Sequence, residues 1–236
     1  EKQITNYIHI TSTSGKGSTT SFMHQILVEA GKKVGSTISP HPTQLTERWK
    51  VQNKHMSKKE FIEIATELKH GLQKFLQTNP QDIPSFFEIT QVVALLYFAK
   101  KKVEYAVIEV GCGGRYDASN VIPHKDIAII TNIGLDHTEL LGNTKSKIAY
   151  DKAGIIKKGC SVFTTEQSPK IYSIIKKEAE RLNCPITQIK ENQIADIRYS
   201  KKGTTFLYKE NSYTLNTFGE HQTKNATLCI EASKEL

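Results

Sequence analysis

Between Thr11 and Thr19 the chain concentrates glycine, hydroxyls and a single cation, in the order Thr11-Ser12-Thr13-Ser14-Gly15-Lys16-Gly17-Ser18-Thr19. Set between a strand and a helix, such a turn can surround phosphate oxygens with backbone N–H groups while a lysine neutralises the outer phosphates. Lys16 is the candidate for that charge, and Ser18 or Thr19 can offer a hydroxyl to phosphate or metal. The strict G-x-x-x-x-G-K-[ST] pattern is not met, because position 10 is Ile and position 17 is Gly. On spacing alone, a flexible polar turn with an exposed lysine competes with the phosphate-binding reading. A second candidate, Glu109, sits at the end of the apolar run Tyr105-Ala106-Val107-Ile108-Glu109-Val110. A carboxylate beside phosphates is best explained as a Mg²⁺ ligand, since that ion prefers oxygen donors; a plain surface carboxylate is the alternative.

The elements around these residues alternate. Tyr7 to Thr11 reads as a short strand, and Thr19 to Ala30 as a helix closed by Gly31. After a strand near Val34 to Ile38 comes Ser39 to His55, a long polar stretch without sustained period, which suggests a functional loop. Ser57-Lys58-Lys59-Glu60 and Ser85-Phe86-Phe87-Glu88 have the form of capping boxes, each opening a helix, so Glu88 can owe its position to the cap alone. The runs Tyr105–Val110 and Asp126–Thr131 look like strands buried on both faces of a parallel sheet. A helix containing Ala149 to Ile156, a strand near Cys160 to Thr164 and a helix opened by Ser168 and Pro169 continue the pattern. From 186 to 218 the texture becomes short strand-like pieces, read as a small β-rich lobe, and a last helix from about His221 is expected to run to Leu236. The fold class is therefore α/β: a P-loop-type, mostly parallel sheet flanked by helices, with a small β-rich lobe near the C-terminal end.

The chain has 236 residues, 38% hydrophobic and 24% charged, which suits a packed core and not a disordered tract. The longest apolar run, Val92 to Ala99, is far short of the roughly 18 residues that a membrane span needs. Its N-terminus lacks the basic and apolar regions of a signal peptide. Cys112, Cys160, Cys184 and Cys229 form no C-x-x-C pair, so a reducing cytoplasmic location is expected. The net charge of +8 is spread over doublets such as Lys32-Lys33 and Lys201-Lys202, read mainly as solvated faces. No aromatic platform interleaves with them, so neither a nucleic acid nor a membrane is expected as a partner, and the chain is expected to be a monomer.

The phosphate turn also resembles the G-T-N-G-K-G-S-T loop of folylpolyglutamate synthases, ATP-dependent amide-forming enzymes of the Mur ligase superfamily. Further blocks match that family in order: Ser39-Pro40-His41, Thr46-Glu47-Arg48, Phe86-Phe87-Glu88, Glu109 to Arg115 (E-V-G-C-G-G-R), Asp117 to Val121 (D-A-S-N-V), Thr131 to His137 (T-N-I-G-L-D-H), Lys152 to Ile156 (K-A-G-I-I) and Gly219 to Ala226 (G-E-H-Q-T-K-N-A). Ser12 and Ser14 depart from it, standing where the family has Gly and Asn. On this resemblance residues 1–236 form the superfamily's central ATP-binding domain, with 186–218 as the lobe within it, and the C-terminal ligase domain lies outside this chain.

The resemblance implies ATP and Mg²⁺ as cofactors, with Thr13, Ser14, Gly15, Lys16, Gly17, Ser18, Thr19, Gln222 and Asn225 around ATP, and His221 beside them. It implies Ser39 and Glu109 at one Mg²⁺ and His137 at a second, although a lone histidine is more often structural. Lys152 matches a lysine the family often carries as a carbamate; Lys16, His137 and Lys152 are thereby the catalytic set. His41, Thr46, Glu47 and Arg48 match the loop that closes over ATP and the pterin-bearing substrate. Arg115 and Asp117 match positions near the nucleotide, or else a tight turn with a structural salt bridge; Gln222 is otherwise a helix cap. The implied reaction joins glutamate to a folate-type carboxylate through an acyl phosphate. The alternatives are another Mur-type amino-acid ligase, or an ATP-binding module inactive without its C-terminal domain.

Overall fold

Strand alternation organises the molecule. In the computed structural model, which describes residue 4 and residues 6–236, β1 (Asn6–Thr11) turns Ile8 and Ile10 to one core and Tyr7 to another. Likewise β6 (Ile127–Ile130) sends Ile127 and Ile129 to one face and Ala128 and Ile130 to the other. Strands buried on both faces need cover on both, and helices supply it. The order along the chain is β1, α1 (Lys16–Glu29), β2 (Val34–Thr37), β3 (Trp49–Val51), β4 (Lys54–His55), α2 (Lys58–Thr78), α3 (Phe86–Lys101), β5 (Tyr105–Glu109), β6, α4 (Thr138–Leu141), α5 (Lys145–Ala153), β7 (Ser161–Thr164), α6 (Pro169–Arg181), β8 (Ile186–Gln188), β9 (Ile194–Ser200), β10 (Gly203–Tyr208), β11 (Asn211–Leu215) and α7 (Glu220–Ala232).

The large sheet runs β4-β3-β2-β5-β1-β6-β7-β8, parallel from β2 to β8 with an antiparallel hairpin at one edge. Because β1 lies between β5 and β6, the chain leaves it to one side first and to the other later. That reversal opens a crevice at the carboxyl ends of the strands, where open α/β sheets bind ligands. Helix α7 and the small sheet β9–β11 cover the core of Ile8, Ile10, Phe206, Tyr208 and Leu228.

Several boundaries differ from those read in the sequence. Helix α1 starts at Lys16, not near Thr19, because Gly15 at φ 87° lets the chain turn directly into it. Positions 49–55, expected as loop, form the hairpin β3–β4, whose pieces are too short to show a period and are set by pairing with β2. The lobe expected over 186–218 begins later: Ile186–Gln188 pairs with β7 as the sheet's last strand, and only residues 194–215 form the small sheet. The helix expected through Ile156 ends at Ala153, with Gly154 following, and a short α4 was not foreseen. The last helix stops at Ala232, followed by a 3-10 turn over Ser233–Glu235. Both capping boxes form, with Ser57 and Ser85 accepting from the N–H groups of Glu60 and Glu88. All four cysteines are free thiols. Among the described residues no helix is long and apolar enough to cross a membrane.

Candidate active site

The phosphate turn is fastened to the end of β6. The Thr13 N–H donates to the Asn132 carbonyl at 3.0 Å, the Ser14 N–H to Asn132 Oδ1 at 3.1 Å, and the Thr131 hydroxyl to the Ser14 carbonyl at 3.0 Å. Thr13 Oγ1 accepts from the Gly134 N–H at 2.8 Å. Both departures from the family loop serve this arrangement: Ser12 Oγ closes onto the Ser14 carbonyl at 2.7 Å, and Ser14 Oγ accepts from Asn132 Nδ2 at 2.9 Å. No side chain caps α1, so its first-turn N–H groups at Lys16, Gly17 and Ser18 are left for an anion. Thr19 is not available in the same way, as its hydroxyl donates back to the Gly15 carbonyl at 2.8 Å.

Two ammonium groups meet one carbonyl here. Lys16 Nζ and Lys152 Nζ donate to the Ser12 oxygen at 3.0 and 2.8 Å. Lys152 is buried at 1% exposure, and burial, with the Lys16 charge next in size, pulls it down to about 8. Across the turn stands Glu109, 3% exposed, whose carboxylate oxygen would lie 3.8 Å from a Cβ placed on Gly17. Its Oε2 accepts the Ser39 N–H at 2.9 Å. Burial pushes Glu109 up to about 7, against the opposing pull of the Ser39 N–H, Lys16 and Arg48. Ser39 therefore reaches this carboxylate through its backbone.

On the other flank α7 abuts the turn. Gln222 Nε2 donates to Ser18 Oγ at 3.2 Å and Asn225 Nδ2 to Gln222 Oε1 at 3.3 Å, while a Cβ on Gly15 would lie 2.9 Å from Asn225 Nδ2. Gln222 thus contacts α1; the cap position of α7 belongs to Gly219. Ser14, Gly15, Ser18, Thr131, Asn132, His221, Gln222 and Asn225 line a cavity of about 240 Å³.

In the loop of residues 39–48, Arg48 Nε donates to His41 Nδ1 at 3.0 Å and its guanidinium lies 5.5 Å from the centre of the exposed Phe86 ring. Glu47 accepts the N–H groups of Thr43 and Gln44, each at 3.1 Å, and so closes the 3-10 turn over Leu45–Arg48 that contains Thr46. His137 stands apart, half exposed at the start of α4, with Asp136 at 3.7 Å. Arg115 forms a salt bridge, pairing with Glu178 at 3.0 Å, and stacks 4.2 Å from the centre of the Tyr150 ring. Asp117 accepts the N–H groups of Cys112 and Ser119. Glu88 carries its capping box and faces a cavity beside Asp117.

Two residues were missed in the sequence. Asn132 lies inside the Thr131–His137 block and could have been found there; Glu166, buried behind it, accepts the Ile133 and Ser168 N–H groups, each at 2.9 Å, and carries no local signal.

A family model described as the Mur ligase middle domain matches residues 10–233. The chain belongs to that family. This Mur ligase middle domain is 35% identical over 226 residues to the mitochondrial folylpolyglutamate synthase of Cricetulus griseus, covering 96% of the chain and 37% of that protein. It is 36% identical over 245 residues to the dihydrofolate synthase/folylpolyglutamate synthase of Bacillus subtilis, covering 100% of the chain and 56% of the relative. Among solved structures, an FPGS–AMPPCP–folate complex superposes with a TM-score of 0.91 at 27% identity, covering 99% of the domain and 58% of that chain. A Mycobacterium tuberculosis folylpolyglutamate synthase with ADP and AMPPCP gives 0.90 at 28%, covering 99% and 55%. The chain thus spans between about a third and three fifths of the proteins it matches.

Proposed function

We propose that the chain is the ATP-binding part of a ligase that adds glutamate to a folate-type carboxylate. The observation that carries this reading is the juxtaposition of Glu109 with the uncapped first turn of α1, beside Lys16, in a chain whose relatives are folylpolyglutamate synthases. The turn fits a triphosphate: backbone N–H groups converge, Lys16 supplies positive charge, and Asn225 and Gln222 border the cavity on the α7 side. The donors also fit Mg²⁺ held largely by phosphate and water oxygens, with one buried carboxylate and neighbouring hydroxyls. Such a site needs no all-protein cage, and among the described residues no group of three His, Cys, Asp or Glu side chains forms one.

In this reading Glu109, with Ser39, holds the cation, and His137 serves a second one. Bound Mg²⁺ would offset the negative charge of the phosphates. Lys16 neutralises charge moving onto the leaving ADP as the carboxylate takes the γ-phosphoryl group, and the amine then displaces phosphate from the acyl phosphate. Lys152, drawn down to about 8, carries more of the neutral amine near neutrality than an ordinary lysine, and the amine is the form that takes up CO₂ as a carbamate. The loop bearing His41, Thr46, Glu47 and Arg48 closes over the carboxylate substrate and excludes water.

The test is ADP release by the full-length protein with dihydropteroate, tetrahydrofolate and peptidoglycan precursors. Glutamate-dependent release with a folate-type acid supports the reading. Release with a peptidoglycan precursor alone assigns a different Mur-type ligase, and ATP binding without turnover on any acid leaves a nucleotide-binding module.

A further inference from the structure

Behind the phosphate turn, on the opposite face of β1 from Ile8 and Ile10, lies a buried polar chain that the ligase reading does not use. Lys125 is 3% exposed, and its Nζ lies 2.5 Å from His9 Nδ1, 2.6 Å from Asn120 Oδ1 and 2.9 Å from the Ile155 carbonyl. His9, fully buried, reaches Ser119 Oγ through Nε2 at 2.8 Å. The Ser119 hydroxyl donates to Asp117 Oδ1, and Asp117 Oδ2 accepts the Cys112 N–H at 2.9 Å. Cys112 sits in the turn Gly111-Cys112-Gly113-Gly114 after β5. The Gly113 carbonyl of that turn accepts the hydroxyl of Thr11, the last residue before the phosphate turn, at 2.6 Å.

The donor count fixes a direction along this chain. An ammonium has three N–H bonds, and Lys125 has three acceptors around it. With all three served, His9 Nδ1 must present its lone pair, so its proton sits on Nε2 and is given to Ser119 Oγ. The Ser119 proton is then free for Asp117. Burial, and next the Lys157 charge, pull Lys125 down to about 6, while Cys160 and Asp117 oppose this; the same burial keeps His9 neutral. A neutral Lys125 amine has only two N–H bonds and one lone pair. His9 can then donate from Nδ1 and accept from Ser119 at Nε2, which takes the Ser119 proton away from Asp117. A lysine on one side of β1 thus governs a hydrogen bond on the carboxylate that holds the glycine turn.

Resting on the ligase reading, we propose that Lys125 is a positioning residue: through His9 and Ser119 it fixes Asp117, and with it the 111–114 turn against the start of the phosphate turn. Cys112 and Asp117 face a cavity of about 450 Å³ that Phe87, Glu88 and Leu141 also line. The geometry leaves little slack there, since a Cβ on Gly111 would lie 2.2 Å from the Phe87 ring. The fold buries a lysine whose link to Asp117 is relayed through neutral groups, an arrangement that specifies geometry more than it adds stability.

The test has two parts. Long-range ¹H–¹⁵N spectra of this chain report the His9 tautomer. At pH 5, where Lys125 is an ammonium, the expected result is a bare Nδ1 and a protonated Nε2, lost in Lys125→Met; a protonated Nδ1 in the unsubstituted chain at that pH overturns the proposal. In the full-length protein, Lys125→Met and the milder Ser119→Ala are expected to lower kcat/KM for the carboxylate substrate about tenfold. Carboxylate kinetics unchanged in Ser119→Ala, with only thermal stability reduced, overturn it as well, and that variant decides the kinetic arm if Lys125→Met does not fold. Failure of the unsubstituted protein to turn over any acid refutes the ligase reading and is separate from the tautomer result, which still decides the relay.

Discussion

The phosphate turn and the loop of residues 39–48 both border Glu109, and they are held in opposite ways. The first is bonded outward, to Thr131, Asn132 and Gly134 at the end of β6 and to Lys152 on α5. The second has more of its bonds within itself, Arg48 to His41 and Glu47 to Thr43 and Gln44, while the Ser39 N–H on Glu109, the Ile38 N–H on the Arg48 carbonyl, the Arg48–Phe86 stack and Leu45 on the core tie it outward. A turn fixed from outside is preorganised for one constant ligand, while a self-contained loop can move as a unit over a variable one. On the proposed reading the nucleotide side is the one held in place, and the substrate side is the one left to adapt.

Substitutions on the rigid side should have the larger effects. Replacing Lys16 with Met should reduce ATP-dependent ADP release by the full-length protein about 10²–10³-fold, the usual range for losing one preorganised group at developing charge. A loss under tenfold would remove Lys16 from the chemistry. Next is Glu109. Its carboxyl is raised from 4.5 to about 7, so the folded chain keeps the proton between those values, and the associated stability is lost as pH rises through about 7. Binding of Mg²⁺–ATP should therefore release a proton below pH 7 and tighten as pH rises toward 7. Calorimetry in two buffers of different ionisation heat reads that proton, and Glu109→Gln should abolish both effects.

Asn132→Ala removes two bonds to Ser14 and should weaken nucleotide binding about tenfold, the worth of one or two hydrogen bonds, without changing the carboxylate KM. Equal changes in both parameters would show that the two loops are not independent. The smallest effect belongs to the adaptable side. Arg48→Ala should raise the carboxylate KM about threefold and move Tm by no more than about 2–4 °C, since an exposed cation–π contact is worth about 0.5–1 kcal/mol.

Much of this was legible in the sequence because it is local. The Ser85–Glu88 box, the glycines about Lys16 and the apolar strand ending in Glu109 each announce themselves within a few residues. What stayed hidden depends on partners far along the chain. His9 is merely one polar residue in a strand until Lys125, 116 positions later, is brought against it. Strand β3 has no signal of its own and takes its form from pairing Val51 with Gly35 and Trp49 with Thr37. Arg115 matched a family position near the nucleotide, yet its place is decided by Glu178, 63 residues away on α6.

The shared carbonyl of Ser12 bears on how the phosphate turn would meet an anion. Two cations crowded onto one oxygen repel, and that repulsion is part of what holds Lys152 below its ordinary value. An incoming anion that draws Lys16 outward relieves the crowding, and the oxygen keeps Lys152 as its remaining tether. Of the two lysines, Lys16 is the one that an anion would draw away, and Lys152 the one that would keep the backbone from following it.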